Sequence, residues 1–433
     1  MEYYSTENKQ LRRNLRDAVL EGLAPDGGLY MPERIPVLPK KQLQSFKNKS
    51  FVEISREIAL SLFHEDLSES EIIQITDSAI SFDTPLVNVE NGIYTLELFH
   101  GPTLAFKDVG ARFMARMLGH FTGGLDRQVN VLVATSGDTG SAVANGFWNV
   151  EGVRVFILYP SGGVSKLQEK QLTTLGGNIM ALEISGTFDD CQKIVKLAFH
   201  DPDLTERMIL TSANSINLAR LLPQSFYYFN AWARLPGDGE FYVSVPSGNF
   251  GNLTAGLIAG KMGLPVRHYI VATNVNDVVP EYLETAEFRP RPSIPTIANA
   301  MDVGNPSNFA RILDLFDHSH ASISSAMSAY SYTDDELRET IGDLFQRTGY
   351  ILDPHGAAGY KALTRHFPKD KSIPGVFLET AHPGKFSNTV EEVIDTKVDI
   401  PDRLREVSSK QKTSIPLSKD ITEFKEFLLN TAD

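Results

Sequence analysis

The stretch Val129-Asn130-Val131-Leu132-Val133-Ala134-Thr135-Ser136-Gly137-Asp138-Thr139-Gly140-Ser141-Ala142-Val143-Ala144-Asn145-Gly146-Phe147 decides the fold class. Its first six residues are a short β-branched run and predict a strand. Residues 135–140 are turn formers. Ala142, Val143, Gly146 and Phe147 then predict a helix of small residues. The same alternation extends outward. Residues 153–159 predict a strand, and 166–175 a helix that stops at Gly176-Gly177. Residues 179–184 predict a strand, and 188–199 a helix with Asp189 and Asp190 in the first turn, where the helix dipole favours acidic groups. Further on, 241–245 and 266–273 predict strands flanking a helix over 252–262. Residues 375–379 predict another strand, with a helix from about Phe386. Strands alternating with helices define an α/β protein with mostly parallel sheets and helices on both faces. In such sheets ligands bind outside the carboxyl ends of the strands.

Composition fits this class. The chain has 433 residues, and its 41 basic and 54 acidic groups leave a net charge of −13. Hydrophobic residues make up 42% and charged residues 22%, a globular balance, not a disordered one. At roughly 150 residues per domain, the length predicts two or three domains. The acidic balance argues against a general nucleic-acid binder, which needs a basic surface. It leaves room for a small anionic substrate in a locally basic pocket. The single cysteine, Cys191, excludes an intrachain disulfide and fits a reducing compartment. The first seven residues carry neither a basic nor an apolar leader pattern. No apolar run approaches the ~18 residues a membrane span requires. A cytoplasmic enzyme or binding protein is the expectation, with no membrane and no nucleic acid as partner. The first ~90 residues have few strand signals and dense Pro/Gly punctuation from Pro25 to Pro39, and are read as an N-terminal helical extension. Residues 290–306, rich in Pro and Asn, predict a long irregular loop.

The chain lacks a G-x-G-x-x-G after a strand, a P-loop, H-E-x-x-H and C-x-x-C, so nicotinamide, P-loop and zinc chemistry lose their sequence support, and no metal is expected. Four segments remain. Val245-Pro246-Ser247-Gly248-Asn249-Phe250-Gly251-Asn252 joins a strand to a Gly/Ala-rich helix. It reads either as an anion cradle at a helix N-terminus or as a plain strand-to-helix turn. The turn Thr135–Ser141 offers hydroxyls and N–H groups to an anion, or simply caps its helix. In Phe99-His100-Gly101-Pro102-Thr103-Leu104-Ala105-Phe106-Lys107-Asp108, a lysine opens a helix whose apolar residues Val109, Phe113 and Met117 fall at i, i+4 and i+8. Most lysines are solvated surface charges. One held in apolar surroundings near a helix N-terminus would have a lowered pKa and act as an amine nucleophile. In the segment 211–220, Asn217 and Arg220 share a face if helical, and Arg220 could clamp a phosphate or simply lie on the surface. His100, His355 and His382 flank Gly or Pro and read as satisfied loop histidines without a role. Cys191 reads as packing material.

In combination these segments resemble the threonine synthases, pyridoxal-phosphate (PLP) enzymes of the tryptophan-synthase-β-like group. The matching runs are 96–108, 134–140, 212–217, 245–252, 272–277 (Ala-Thr-Asn-Val-Asn-Asp) and 380–383 (Thr-Ala-His-Pro), in family order, with 18–30 similar to the family's start. The resemblance implies a fold-type-II PLP enzyme: two three-layer αβα lobes with mostly parallel sheets plus the N-terminal helical extension. It divides the chain into 1–92, a lysine and substrate lobe over 93–235, and a phosphate lobe with the C-terminal segment over 236–433. It implies that Lys107 forms the Schiff base with PLP, with Phe106 beside it. It places Gly248, Asn249, Phe250, Gly251 and Asn252 around the cofactor phosphate, and Thr380 by the pyridine nitrogen. Ser136, Gly137, Asp138 and Thr139 would bind the substrate carboxylate, and Asn217 and Arg220 the substrate phosphate. Asp138 departs from the wider superfamily, where Asn is frequent. An ionised carboxylate beside the cofactor's phenolate would be unfavourable, so Asp138 is turned away, protonated or differently placed. The implied reaction takes O-phospho-L-homoserine and water to L-threonine and phosphate by γ-elimination and β-addition, in a monomer or homodimer. The alternatives are a serine/threonine dehydratase of the same group and a PLP-binding homologue without catalysis.

Overall fold

The computed structural model describes residues 1–366 and 372–431. The chain forms two compact units, each assembled from separate segments. The first gathers Met1–Glu33, Lys107–Arg220 and the segment from Pro401; the second gathers Arg34–Phe106 and Leu221–Ile400. The sequence-derived division at 92 and 235 is contiguous, whereas the chain passes between units after Glu33, Phe106, Arg220 and Ile400.

The first unit is built on a five-stranded sheet in the order Ile415–Leu417, Ile179–Ile184, Val153–Pro160, Val129–Ala134, Ile209–Ser212. Every pairing in it is parallel. All six residues of Val129–Ala134 are buried, as a strand covered on both faces requires. Leu132, Phe156, Leu158, Leu182 and Ile184 pack with Cys191, Ile194, Val195, Phe424 and Leu428. Helices Phe188–Phe199 and Ile421–Thr431 therefore cover that core, each buried Leu or Ile contributing about 1.5–3 kcal/mol. Cys191 is packing material, its thiol pushed up to about 12 by burial. The Phe188–Phe199 helix starts on a Thr187/Asp190 capping box, which is why the acidic first turn was readable.

The N-terminal extension is largely helical, as read, but its start adds a small sheet. Tyr3–Ser5 lies between Arg12–Arg13 and Tyr30–Pro32 in a small antiparallel sheet, with one short helix, Leu15–Glu21. Helices Phe51–Phe63 and Glu69–Ala79, each on a Ser/Glu capping box, belong to the second unit.

The second unit carries a six-stranded sheet in the order Met327–Ser331, Val266–Thr273, Phe241–Pro246, Gly375–Glu379, Ile93–Glu97, Leu86–Glu90. It is parallel except for the Leu86–Glu90 edge, which pairs antiparallel with its neighbour. Helix Gly251–Lys261 follows the strand Phe241–Pro246, as expected. Between 286 and 308 the only regular turn is Asn299–Met301. Asn274 and Asn276 hold this loop. Asn274 Nδ2 donates to Thr296 Oγ1 and Asp302 Oδ1, both at 2.8 Å, and Asn276 Nδ2 to Ile294 O at 2.9 Å. Among the described residues no helix is long and apolar enough to cross a membrane.

Candidate active site

In the first unit, Lys107 is the first residue of the helix Lys107–Thr122. Val109, Phe113 and Met117 are buried on one face, as their spacing predicted. The lysine side chain is 14% exposed. Its surroundings are not simply apolar, however, since Nζ lies 3.9 Å from Asp138 Oδ2. Asp138, 4% exposed, is therefore not turned away from the lysine. Gln168 fixes it: Nε2 donates to Asp138 Oδ1 at 2.9 Å, while Gln168 Oε1 accepts the Ser165 N–H of its own capping box. The two ends of one amide thus tie a helix start to the acid. Gly137, at φ +138°, has the Gln168 amide so close that a Cβ there would come within 2.5 Å of Gln168 Cδ.

Thr135 organises the turn. Its Oγ1 accepts the N–H groups of Gly137 at 2.9 Å and Gly140 at 2.8 Å. Capping therefore occurs, but through Thr135; Ser136 and Thr139 stand half-buried and uncommitted to it. Asn214 Nδ2 donates to Ala134 O at 2.9 Å, joining the 212–217 segment to the end of the Val129–Ala134 strand. Asn217 is wholly buried. Its Nδ2 donates to Val19 O at 2.9 Å and its Oδ1 accepts Ala219 N–H at 3.0 Å, so chain atoms engage both ends of its amide. Arg220 follows in the short helix Leu218–Leu221; it is buried and donates from Nη1 to Ala213 O.

In the second unit, Phe106 N donates to Thr380 O at 2.9 Å, and Tyr227 Oη donates to Phe106 O. Leu98 N–H to Glu379 O and His382 N–H to Leu104 O lace the same two segments together. Leu104 adopts a left-handed conformation (φ 58°), uncommon for leucine. His382 caps the turn Pro383–Phe386 through Nδ1; burial, with His100 acting the same way, lowers its pKa to about 4. Phe250 is also left-handed (φ 61°) and starts the helix Gly251–Lys261 without a side-chain cap. Asn252 Oδ1 accepts from Tyr228 Oη at 2.9 Å, but its buried Nδ2 has no protein partner. Uncapped N–H groups and a buried donor without an acceptor fit an anion at this helix start. Asn249 is engaged elsewhere, accepting from Ser307 N and Asn308 Nδ2.

Parallel α/β sheets covered by helices, with a largely buried lysine at a helix start beside a placed acid in the first unit, are the features of a pyridoxal-phosphate-dependent enzyme of fold type II. Residues 80–376 match the family described as pyridoxal-phosphate dependent enzyme; 2–80 match the threonine synthase N terminus and 356–428 the threonine synthase C-terminal region. The chain is 41% identical to the threonine synthase of Haemophilus influenzae, with 100% of both chains covered. The crystal structure of threonine synthase from Escherichia coli matches with a TM-score of 0.93 at 40% identity over 100% of each chain. The PLP-bound threonine synthase from Brucella melitensis matches at 0.92 and 33% identity, covering 100% of this chain and 99% of that one. The chain belongs to the threonine synthase family. It is a PLP-dependent enzyme of threonine biosynthesis.

Sequence reasoning missed Gln168 and Tyr227. The Ser165–Gln168 capping box was a visible signal for a helix start, but nothing local marks the far end of the Gln168 amide.

Proposed function

We propose that the chain converts O-phospho-L-homoserine and water into L-threonine and phosphate, as a carbon–oxygen lyase acting on a phosphate ester. The proposed setting is the cytoplasm, with the protein a monomer or homodimer. Bound pyridoxal phosphate supplies the electron sink that stabilises negative charge on the substrate carbons. Lys107 would hold the cofactor, and its amine would move the protons at substrate Cα and Cβ. Asp138, held by Gln168, keeps the lysine amine in place by charge attraction. The Ser136–Thr139 turn takes the substrate carboxylate through its hydroxyls and N–H groups. Arg220 takes the substrate phosphate. Asn217 supports Arg220 from within the fold, which suits an amide bonded to Val19 and Ala219.

Gly248 to Asn252 hold the cofactor phosphate at the uncapped helix start. Thr380 would offer its hydroxyl to the pyridine nitrogen. A neutral hydroxyl does not keep that nitrogen charged, which favours elimination over side reactions.

The observation that carries this reading is the largely buried Lys107–Asp138 pair. Absorbance of the purified holoenzyme tests it. A band near the visible edge is expected, and it should vanish in Lys107→Ala. A band that survives in that variant would place the cofactor on another amine.

A further inference from the structure

Behind Thr380, the second unit buries a set of titratable groups that the reaction does not use. Glu379 ends the central strand Gly375–Glu379 and is fully buried. Its Oε1 accepts Asp353 N–H at 2.6 Å, while Oε2 has no partner. Asp353, also fully buried, accepts on Oδ1 from His355 N at 2.6 Å and faces His355 Nδ1 at 2.5 Å; its Oδ2 has no partner. His355 sits in the first turn of the helix Pro354–His366. Its Nε2 accepts the Ala300 N–H at 3.1 Å, so the ring proton resides on Nδ1 and points at Asp353. Ala300 belongs to the turn Asn299–Met301, and Ala300 O lies 2.5 Å from where a Cβ on Gly248 would be.

Two buried carboxyls, each with one bare oxygen, are unstable as two anions. The Glu379 and Asp353 side chains lie within hydrogen-bond reach of each other, so a single proton held between the two carboxyls removes one of the two charges. Burial and the neighbouring Asp353 raise the Glu379 pKa, in keeping with that proton. The other titratable groups facing this cluster are Glu97, bonded to Tyr350 and His100, then His382 and Asp302.

We propose that Glu379, Asp353 and His355 form a positioning relay, with one proton shared between the two carboxyls. The relay holds the Ala300 turn against Gly248 and so sets the shape of the phosphate cradle. It rests on the reading that residues 248–252 hold the cofactor phosphate.

Phosphorus NMR of bound pyridoxal phosphate, together with cofactor affinity of the apoenzyme, tests it. His355→Leu removes the acceptor for Ala300 N–H. It should move the phosphorus resonance and weaken cofactor binding roughly tenfold, the loss of about one buried hydrogen bond. In His355→Gln an amide oxygen can take the Ala300 N–H, and this variant should recover most of the affinity. Glu379→Gln supplies the shared proton as an amide N–H and should behave as wild type. A wild-type resonance and affinity in His355→Leu would overturn the relay, as would a loss in Glu379→Gln equal to that in His355→Leu. Asn252→Ala separates the two readings: if it leaves the phosphorus resonance unmoved, the cradle assignment itself fails. Should His355→Leu not fold, infrared difference spectra of wild type against Glu379→Gln decide. A protonated-carboxyl band present in the wild type and lost in the variant supports the shared proton; its absence from the wild type overturns it.

Discussion

Gln168 Nε2 donates to Asp138 Oδ1 at 2.9 Å, and Asp138 in turn reaches Lys107. Residues 30 positions apart thus fix the acid that faces the Lys107 amine. Gln168→Leu removes the donor and leaves a buried carboxylate with one partner fewer. A hydrogen bond to a charged group is worth about 1.5–3 kcal/mol. At ~1.36 kcal/mol per decade, kcat/KM should fall roughly ten- to a hundred-fold. Gln168→Glu should do at least as badly, because it sets a second carboxylate against Asp138. Steady-state kinetics check this, with circular dichroism confirming the fold.

Gly356→Ala is expected to be among the most destabilising single-methyl changes in the chain. A Cβ at Gly356 would overlap the Glu379 carboxyl, and both groups lie inside the second unit. Overpacking of a rigid core costs about 1–3 kcal/mol, and the absence of free space here points to the upper end. The thermal midpoint should drop by several degrees; an unchanged Tm would show that the strand end can shift.

Stability against acid should depend on Lys412. Its Nζ lies 2.6 Å from both Glu169 Oε1 and Glu183 Oε2, beside the edge strand Ile415–Leu417. The hydrogen bond from Lys412, helped by Ser161 and Ser414, holds the Glu183 pKa down at about 2. A depressed folded-state pKa gives stability that is present above the unfolded value of about 4.5 and lost as pH falls towards 2. Lys412→Met should lower stability near neutral pH by roughly 1 kcal/mol after solvent screening. The gap from wild type should close between pH 4.5 and 2. Thermal midpoints measured across that window check the sign.

Arg220→Ala separates the two enzymatic readings. A phosphate-binding arginine lost should raise KM for O-phospho-L-homoserine by roughly ten- to a hundred-fold, one charge-assisted contact. Arg220→Lys should recover part of it. A dehydratase acting on unphosphorylated serine or threonine would be indifferent to the change, so equal activity in wild type and Arg220→Ala would favour that reading.

Much of the fold was legible because its strands are continuous β-branched runs and its helices open on capping residues such as Thr187 and Asp190. The Lys107 helix showed itself through Val109, Phe113 and Met117. The N-terminal sheet did not. Strands of two or three residues, one ending at Pro32, are too short for alternation to register. The elements that carry the candidate residues were legible where the signal is local, at the Lys107 helix and at the strand-to-helix turn 248–252. Gln168, Glu379 and Asp353 were not, since their meaning lies in partners brought together by folding. Glu379 looks like the polar end of an apolar strand until its complete burial is seen. His355 was read as a loop histidine, yet it sits in a helix with both ring nitrogens engaged.

The central claim is that the amine of Lys107 drives synthesis of threonine from a phosphorylated substrate. Its most direct test is the yield of threonine and inorganic phosphate when the purified holoenzyme and its Lys107→Ala variant are each given O-phospho-L-homoserine. The wild type should release the two products in equal amounts, and the variant neither. Wild-type protein that binds the cofactor but releases no phosphate, or a variant that turns over normally, would contradict the account.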